Sequence, residues 1–366
     1  MTWRRRAALL TLVLAVTAGA AEAQLTEFGQ NKVQYRTLQW HVMTGPHVDL
    51  YFYPAEAALA PTALAWAEES YDTLARKFDH EVPGRIPLLV YATHADFEQT
   101  NVLPFAPPEG VLGVTDYLKR RVTLPFRGNF AEFRGTLRHE MTHVFQLDLE
   151  GDAYARTFHD VTSMLPLWWS EGLAEYFSAG QDARDEMIMR DLTISGRLPS
   201  LKDLGGVTSA IVYPIGGRIH QWLGRTYGDW RIANFYRDVW RYDDFESAIY
   251  GTYGRTLDQL SAEFQEAMRR EYYPAIAGRH SLDAYARRIA AGAVKPVLTA
   301  DGDTAVYFAA PRGYVVAQAR GLDGGPARTI VTAGRSADIE SFHPFESRID
   351  AGRPGYLLFS TRHEDR

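Results

Sequence analysis

The residues best suited to chemistry stand together at His139-Glu140-Met141-Thr142-His143. Residues four apart on a helix lie on the same face, so His139 and His143 can direct two imidazole nitrogens at one point, with Glu140 beside it. This H-E-x-x-H spacing is typical of a zinc site in which the histidines hold the ion and the glutamate acts as general base on the metal-bound water. The same spacing also arises by chance on solvent-facing helices, so the flanking sequence has to support the site.

A second group of carboxylates follows in the stretch from Leu167 to Tyr176, far enough after His143 for a loop and a returning helix. Glu171 and Glu175 are four residues apart and therefore share one face of that helix. Burying an unpartnered charge on an otherwise aromatic helix is costly, and a zinc ion with a ligand histidine would supply partners for both. The alternative is that both glutamates face solvent.

The helix that carries the two histidines has a clear start signal. Asn129 is a good N-cap and Glu132 stands three residues later, which predicts a capping box and a helix from Phe130. Its apolar positions form one stripe, and His139 and His143 lie to the side of it. The histidines can therefore face a cleft while the helix remains packed. The stripe consists of Phe133, Leu137, Met141, Val144 and Phe145.

The N-terminus has the pattern of a secretory signal peptide. Three arginines at positions 4–6 precede an apolar run over 7–20, and small residues around Ala23 supply a cleavage point. The alternative is a membrane anchor, but the apolar run is short for spanning a bilayer. We expect residues 1–23 to be removed and the mature protein to be exported by a bacterium, periplasmic or secreted, without stable membrane insertion.

Composition narrows the classes further. The 366 residues include no Cys and carry a formal net charge of −6. An exported chain without Cys has no disulfides, which suits the periplasm, and its metal site must use His and carboxylate ligands. An acidic chain gives no reason to expect nucleic acid as a partner.

Hydrophobic periodicity predicts an α+β arrangement, a small mixed sheet followed by a helical second half. The residues 121–124 form a short strand that leads towards His139. We expect that strand either to lie along the substrate cleft or to be an ordinary edge strand. The preceding elements are a hairpin within 33–53, a helix over 61–78, a buried strand over 86–91 and a first short strand after 111.

The domains expected from this pattern are one over 24–275, a linker over 276–295 and a β-rich region over 296–366. In the last region, short alternating runs are separated by Gly- and Asp-rich turns, ending with a run over 356–361. That run resembles the strand and turn of a TolB-type β-propeller blade. A propeller needs about four or more blades, so we expect either the start of a propeller from a longer protein or a small terminal β-domain.

The two motifs together resemble those of a known family. His-Glu-Met-Thr-His at 139–143, followed by Trp-x-x-Glu-Gly-x-Ala-Glu-Tyr at 168–176, is similar to the gluzincin metallopeptidases, in particular the group called peptidase MA-like. The resemblance covers roughly residues 38–273. It implies a zincin-type fold, one Zn²⁺ held by His139, His143 and Glu171, Glu140 as the base, and Glu175 as a carboxylate that orients a ligand histidine.

A third stretch, Tyr213-Pro214-Ile215-Gly216, matches a Tyr-x-x-Gly of gluzincins related to the aminopeptidases. There the phenol stabilises the oxyanion of the tetrahedral intermediate, which makes Tyr213 the catalytic candidate for that role. His159, His220 and Tyr154 are reserve candidates. The Gly-x-Met-Glu-Asn stretch by which the aminopeptidases bind a free amine is missing, so endopeptidase and aminopeptidase action both stay open.

These patterns predict a zinc-dependent metallopeptidase that hydrolyses peptide bonds, with peptides or proteins as its substrates. The alternative from another class is a non-catalytic peptide-binding or scaffold protein of the cell envelope with a vestigial zincin domain. The complete set His139, Glu140, His143 and Glu171 favours the enzyme.

Overall fold

The structure, a computed structural model, gives a mixed fold of helices and two sheets, as the α+β expectation requires. The expected signal peptide, residues 1–23, lies outside the described residues. The chain divides into two units between Ala275 and Ile276. The residues described are 36–101, 110–116, 119–158, 160–280, 284–334, 339, 342 and 348–361.

The first unit contains a five-stranded sheet in the order β1-β2-β3-β5-β4. β1 and β2 form the expected antiparallel hairpin, β3 and β5 continue parallel to β2, and β4 pairs antiparallel with β5. β3 coincides with the run predicted as a buried strand. The strands are β1 (His41–Thr44), β2 (Val48–Phe52), β3 (Ile86–Tyr91), β4 (Val114–Thr115) and β5 (Val122–Pro125).

The sheet corrects one expectation. The strand predicted over 121–124 is β5, and it is an interior strand rather than an edge, because β3 pairs with one side and β4 with the other. Its residues are buried. Strand order depends on long-range pairing, which the local alternation of residue types does not reveal. The edge next to β5 belongs to the very short β4.

Helices form the rest of the first unit. Two of them, Ala183–Ile194 and Leu201–Leu204, do not follow from apolar spacing. The first buries only Met189 and Thr193 and therefore shows no apolar stripe. The helices Ala60–Phe78, Phe130–Thr157 and Leu167–Phe177 lie close to the predicted positions. The helices are α1 (Ala60–Phe78), α2 (His94–Phe97), α3 (Phe130–Thr157), α4 (Leu167–Phe177), α5 (Ala183–Ile194), α6 (Leu201–Leu204), α7 (Val212–Tyr227), α8 (Asp229–Asp238), α9 (Phe245–Tyr253) and α10 (Leu257–Tyr272).

α3 begins at Phe130, as predicted, but with a simple N-cap at Asn129 instead of the capping box expected with Glu132. The Asn129 side chain accepts hydrogen bonds from the backbone N–H groups of Ala131 and Glu132, which satisfies two donors of the first turn. The apolar stripe of the helix is fully buried, with Leu137 and Met141 both 0% exposed. Burial of this stripe fixes the rotation of α3 and so fixes the direction in which its histidines point.

α4 and α7 pack closely through a pair of glycines. A Cβ placed on Gly172 would lie 2.5 Å from the Cα and 2.7 Å from the carbonyl oxygen of Gly216. Ordinary contacts of a Cβ begin near 3.4 Å. The two helices can therefore approach to this distance only because neither residue has a side chain. This contact brings the start of α7 next to the segment of α4 that carries Glu171.

The second unit contains a four-stranded antiparallel sheet in the order β6-β7-β8-β9. β7, β8 and β9 lie within the region 296–366 expected to contain short alternating runs, whereas β6 begins just before it, at Val294. Among the residues that the structure describes, the run predicted over 356–361 makes the isolated bridges Asp350–Leu358 and Phe342–Thr361 and no strand. The strands are β6 (Val294–Leu298), β7 (Thr304–Ala309), β8 (Val316–Gly321) and β9 (Arg328–Thr332).

Candidate metal centre

Three side chains from two helices converge on one point in the first unit. His139 and His143 come from α3, and Glu171 comes from α4. The distance from His139 Nε2 to His143 Nε2 is 3.2 Å, and Glu171 Oε2 lies 3.2 Å from each of these nitrogens. Within the described part of the chain, these residues form the one group of His, Cys, Asp or Glu whose geometry could hold a metal ion.

The size of this triangle fits a tetrahedral ion. In a regular tetrahedron the edge is about 1.6 times the distance from centre to vertex, so edges of 3.2 Å place a central ion about 2.0 Å from each ligand atom. Zinc is bound at about 2.0–2.1 Å by imidazole nitrogen and about 2.0–2.2 Å by carboxylate oxygen. The donor atoms therefore fit a metal ion of this kind and leave a fourth position for water or substrate.

The three ligand side chains are protected without being sealed. Those of His139, His143 and Glu171 are 13%, 18% and 17% exposed. The group is therefore mostly shielded from solvent, with a small part of each side chain exposed. A closed structural site would use all four positions for protein ligands, whereas a catalytic site keeps one open.

Glu175 lies one turn after Glu171 and touches the other nitrogen of His139, with 3.3 Å between Glu175 Oε1 and His139 Nδ1. A carboxylate at Nδ1 accepts a hydrogen bond from Nδ1–H and so leaves the Nε2 lone pair of the neutral ring for a metal. The shared face predicted for Glu171 and Glu175 is thus used by both residues, one at each nitrogen of the same ring.

The glutamates of the site stabilise the protonated histidines, and the histidines stabilise the ionised glutamates. Burial alone would lower the pKa of His139, but hydrogen bonds to Glu171 and Glu175 and the charge of Glu140 outweigh it and raise the pKa to about 10. Burial raises the pKa of Glu171, yet the charge of His143 and hydrogen bonds from both histidines hold it well below its usual range. Both shifts show that the carboxylates stabilise positive charge at this point.

Glu140 is buried and accepts a hydrogen bond from β4, the strand at the edge of the sheet. The Thr115 hydroxyl of β4 lies 2.8 Å from Glu140 Oε2 and 2.9 Å from the Glu140 carbonyl oxygen. A Cβ on Gly113 would lie 2.9 Å from Glu140 Oε1, so the backbone before β4 approaches the carboxylate as closely as glycine allows. These contacts depend on the pairing of β4 with β5, and the spacing of residues in the sequence carries no signal for them.

Tyr213 stands at the start of α7 and faces the same site. Its ring is nearly parallel to that of His139, with centroids 6.0 Å apart and an interplanar angle of 18°. Burial, the charges of Glu171 and Glu140 and a hydrogen bond to Glu171 raise the pKa of Tyr213 well above its usual range. The phenol is therefore protonated at neutral pH and can donate a hydrogen bond.

Of the three reserve candidates, the two that the structure describes, His220 and Tyr154, are not part of this group. His220 is fully buried, donates a hydrogen bond from Nδ1–H to the Gly216 carbonyl oxygen, and packs with its ring centroid 4.5 Å from that of Trp169. Burial lowers its pKa to about 4, so it is a neutral core residue. Tyr154 is half exposed near the C-terminal end of α3 and contacts Phe158. His159 lies outside the described residues.

Two further polar residues of α3, Gln146 and Glu150, follow His143 along the helix and are buried. Gln146 accepts from His143, with 2.7 Å between Gln146 Oε1 and His143 Nδ1. Its position one turn after His143 is a signal that helical spacing offers, because residues three apart are neighbours on a helix. Farther along, burial raises the pKa of Glu150 to about 7, although the Thr162 hydroxyl donates to its Oε2 at 2.8 Å.

No protein-family model matches the chain, and no curated protein matches it either. Among the described residues, no helix is long and apolar enough to cross a membrane.

Proposed function

We propose that the protein is a zinc-dependent metallopeptidase that hydrolyses peptide bonds, with one Zn²⁺ bound by His139, His143 and Glu171. The observation that carries the proposal is the 3.2 Å triangle of two imidazole nitrogens and one carboxylate oxygen. Glu140 directly follows His139, one of these residues, in the sequence. Two nitrogen ligands and one oxygen ligand suit zinc, and an open fourth position suits catalysis.

A bound zinc ion would lower the pKa of a water molecule and polarise the scissile carbonyl. Glu140 would then accept the proton of that water and return it to the leaving amine. The Thr115 hydroxyl, 2.8 Å from Glu140 Oε2, holds the carboxylate in one orientation. Tyr213, protonated because its pKa is raised, donates to the oxyanion that develops on the substrate.

The sequence pattern of residues 1–23 supports action outside the cytoplasm, on peptides or proteins of the cell envelope or the surroundings. We also propose, from the resemblance to the gluzincins, that the first unit is a zincin-type peptidase domain. From the resemblance of the run over 356–361, we propose that the β-rich region belongs to a TolB-type propeller. The four-stranded antiparallel form of β6–β9 is compatible with a propeller blade.

The test compares wild-type protein with Glu140→Gln. Both should bind one zinc per chain, because Glu140 is not a ligand, while the variant should hydrolyse peptides about 10²- to 10⁴-fold more slowly. Bound zinc is measured by elemental analysis, and cleaved bonds in a mixed peptide library are identified by mass spectrometry, which also separates endopeptidase from aminopeptidase action. Glu132→Gln, at an exposed carboxylate of the same helix, is the matched control and should retain full activity.

Two results would overturn the proposal. Undiminished hydrolysis by purified Glu140→Gln would exclude Glu140 as the base. Absence of zinc from wild-type protein prepared without chelators and supplied with zinc would exclude the metal site and favour the scaffold alternative.

A further inference from the structure

Gln146 is a polar residue with almost no exposure, 2%, in the apolar interior of the first unit. It makes contacts with three elements: α3, on which it lies, α4 and α8. A buried amide is costly unless its hydrogen bonds are made, so the direction in which each of its atoms points is determined by its partners.

The partners of the Gln146 amide fix its orientation. The amide nitrogen lies 3.0 Å from the Ser170 carbonyl oxygen and 2.8 Å from the Tyr236 hydroxyl oxygen. A backbone carbonyl can only accept, so the atom that faces Ser170 must be the NH₂ group. Turning the amide over would place its oxygen against the carbonyl oxygen and leave one buried acceptor without a donor.

The fixed amide in turn fixes the adjacent imidazole. With the NH₂ group at Ser170, the Gln146 oxygen must face His143 Nδ1, which it does at 2.7 Å. That oxygen can only accept, so Nδ1 must carry a proton, and the neutral ring that binds a metal then presents its lone pair at Nε2. Nε2 is the atom that completes the triangle with His139 and Glu171.

We propose that Gln146 is a positioning residue of the metal centre, which selects the tautomer and the ring orientation of His143 and ties α3 to α4 and α8. The inference rests on the metal site of the proposed function. Ser170 directly precedes the ligand Glu171, so one side chain sets the direction of His143 and contacts the backbone next to the third ligand. His139 is oriented differently, through the Glu175 carboxylate at 3.3 Å from its Nδ1.

The test uses Gln146→Leu, which keeps a side chain of similar size and removes both hydrogen-bonding functions. Zinc affinity is measured by competition with a chromophoric chelator, and the variant should bind zinc about 10- to 100-fold more weakly than wild type. Thr142→Val is the matched control. Thr142 is buried on the same helix, and among the described residues its hydroxyl bonds only the Arg138 carbonyl oxygen of that helix. The zinc affinity of Thr142→Val should therefore equal that of wild type.

A spectroscopic measurement separates positioning from general damage to the fold. In the zinc-loaded wild type, the Nδ1–H protons of both ligand histidines should be visible by ¹⁵N-edited NMR because each has a partner. In Gln146→Leu, the His143 proton should exchange rapidly with solvent, while the His139 proton, held by Glu175, should persist. Loss of both signals together would show general loosening of the site and would overturn the specific role.

The outcomes distinguish this inference from the proposed function. Wild-type protein that takes up no zinc overturns both. Zinc bound equally well by wild type and Gln146→Leu, with an unchanged His143 signal, overturns this inference alone. If the leucine variant does not fold, Tyr236→Phe decides, because it removes one of the two groups that hold the amide; it should weaken zinc binding severalfold, and an affinity equal to that of wild type would overturn the inference.

Discussion

Replacing Gly172 by Ala tests whether the close packing of α4 against α7 positions the site. The new Cβ would lie 2.5 Å from the Cα of Gly216, where an ordinary contact needs about 3.4 Å. The atoms it meets belong to the backbone and cannot rotate away. The two helices must therefore separate by about 1 Å, since a packed interior transmits such a displacement rather than absorbing it.

The expected cost follows from two opposing terms. Alanine is favoured over glycine within a helix by about 1 kcal/mol, whereas overpacking of a rigid contact costs about 3 kcal/mol. Gly172→Ala should therefore lower the free energy of unfolding by about 2 kcal/mol. Gly151 is exposed on α3 and a Cβ there would meet nothing within 4 Å. Gly151→Ala is thus a matched control that should gain about 0.5–1 kcal/mol.

The assay is chemical denaturation of both variants and wild type, followed by zinc content and peptide hydrolysis. Zinc binding should survive in Gly172→Ala because its ligands lie on α3 and α4. Hydrolysis should fall about 10²-fold, since α7 carries Tyr213 away from His139 and Glu171 and a 1 Å misplacement is enough for such a loss. If Gly172→Ala proves as stable as Gly151→Ala, the close contact between α4 and α7 does not exist and the reasoning is refuted.

Two further predictions concern Glu150 and Tyr213. Because burial raises the pKa of Glu150 to about 7 in the folded protein, above its ordinary 4.5 in the unfolded chain, the folded state binds the extra proton and stability falls as pH rises from 4.5 to 7. Glu150→Gln should therefore be more stable than wild type at pH 8, by about 3 kcal/mol at most, and lose this advantage near pH 4; denaturation curves showing the same difference at both pH values would contradict this. Tyr213→Phe should lower kcat for peptide hydrolysis about 10²-fold with unchanged zinc content, because only the hydroxyl that donates to the oxyanion is lost; an unchanged kcat would remove Tyr213 from the mechanism.

Local sequence determined the features that lie within a single helix or strand. The cap at Asn129 set the start of α3, and the burial of Leu137 and Met141 set its rotation. The four-residue spacing then placed His139 and His143 on one face, as it placed Glu171 and Glu175 on another helix. The start of the helix and the shared faces depend only on geometry within one element, so spacing was sufficient to predict them.

Tertiary structure alone decided how those elements meet. Nothing in the sequence states that Glu171 Oε2 lies 3.2 Å from both histidine nitrogens, or that the Gln146 amide reaches Ser170 and Tyr236. Strand pairing between distant segments of the chain likewise puts β5 between β3 and β4. It also brings the Thr115 hydroxyl within hydrogen-bond distance of Glu140. Such distances are set by side-chain volume and close contacts between elements, which act through space and leave no period in the sequence.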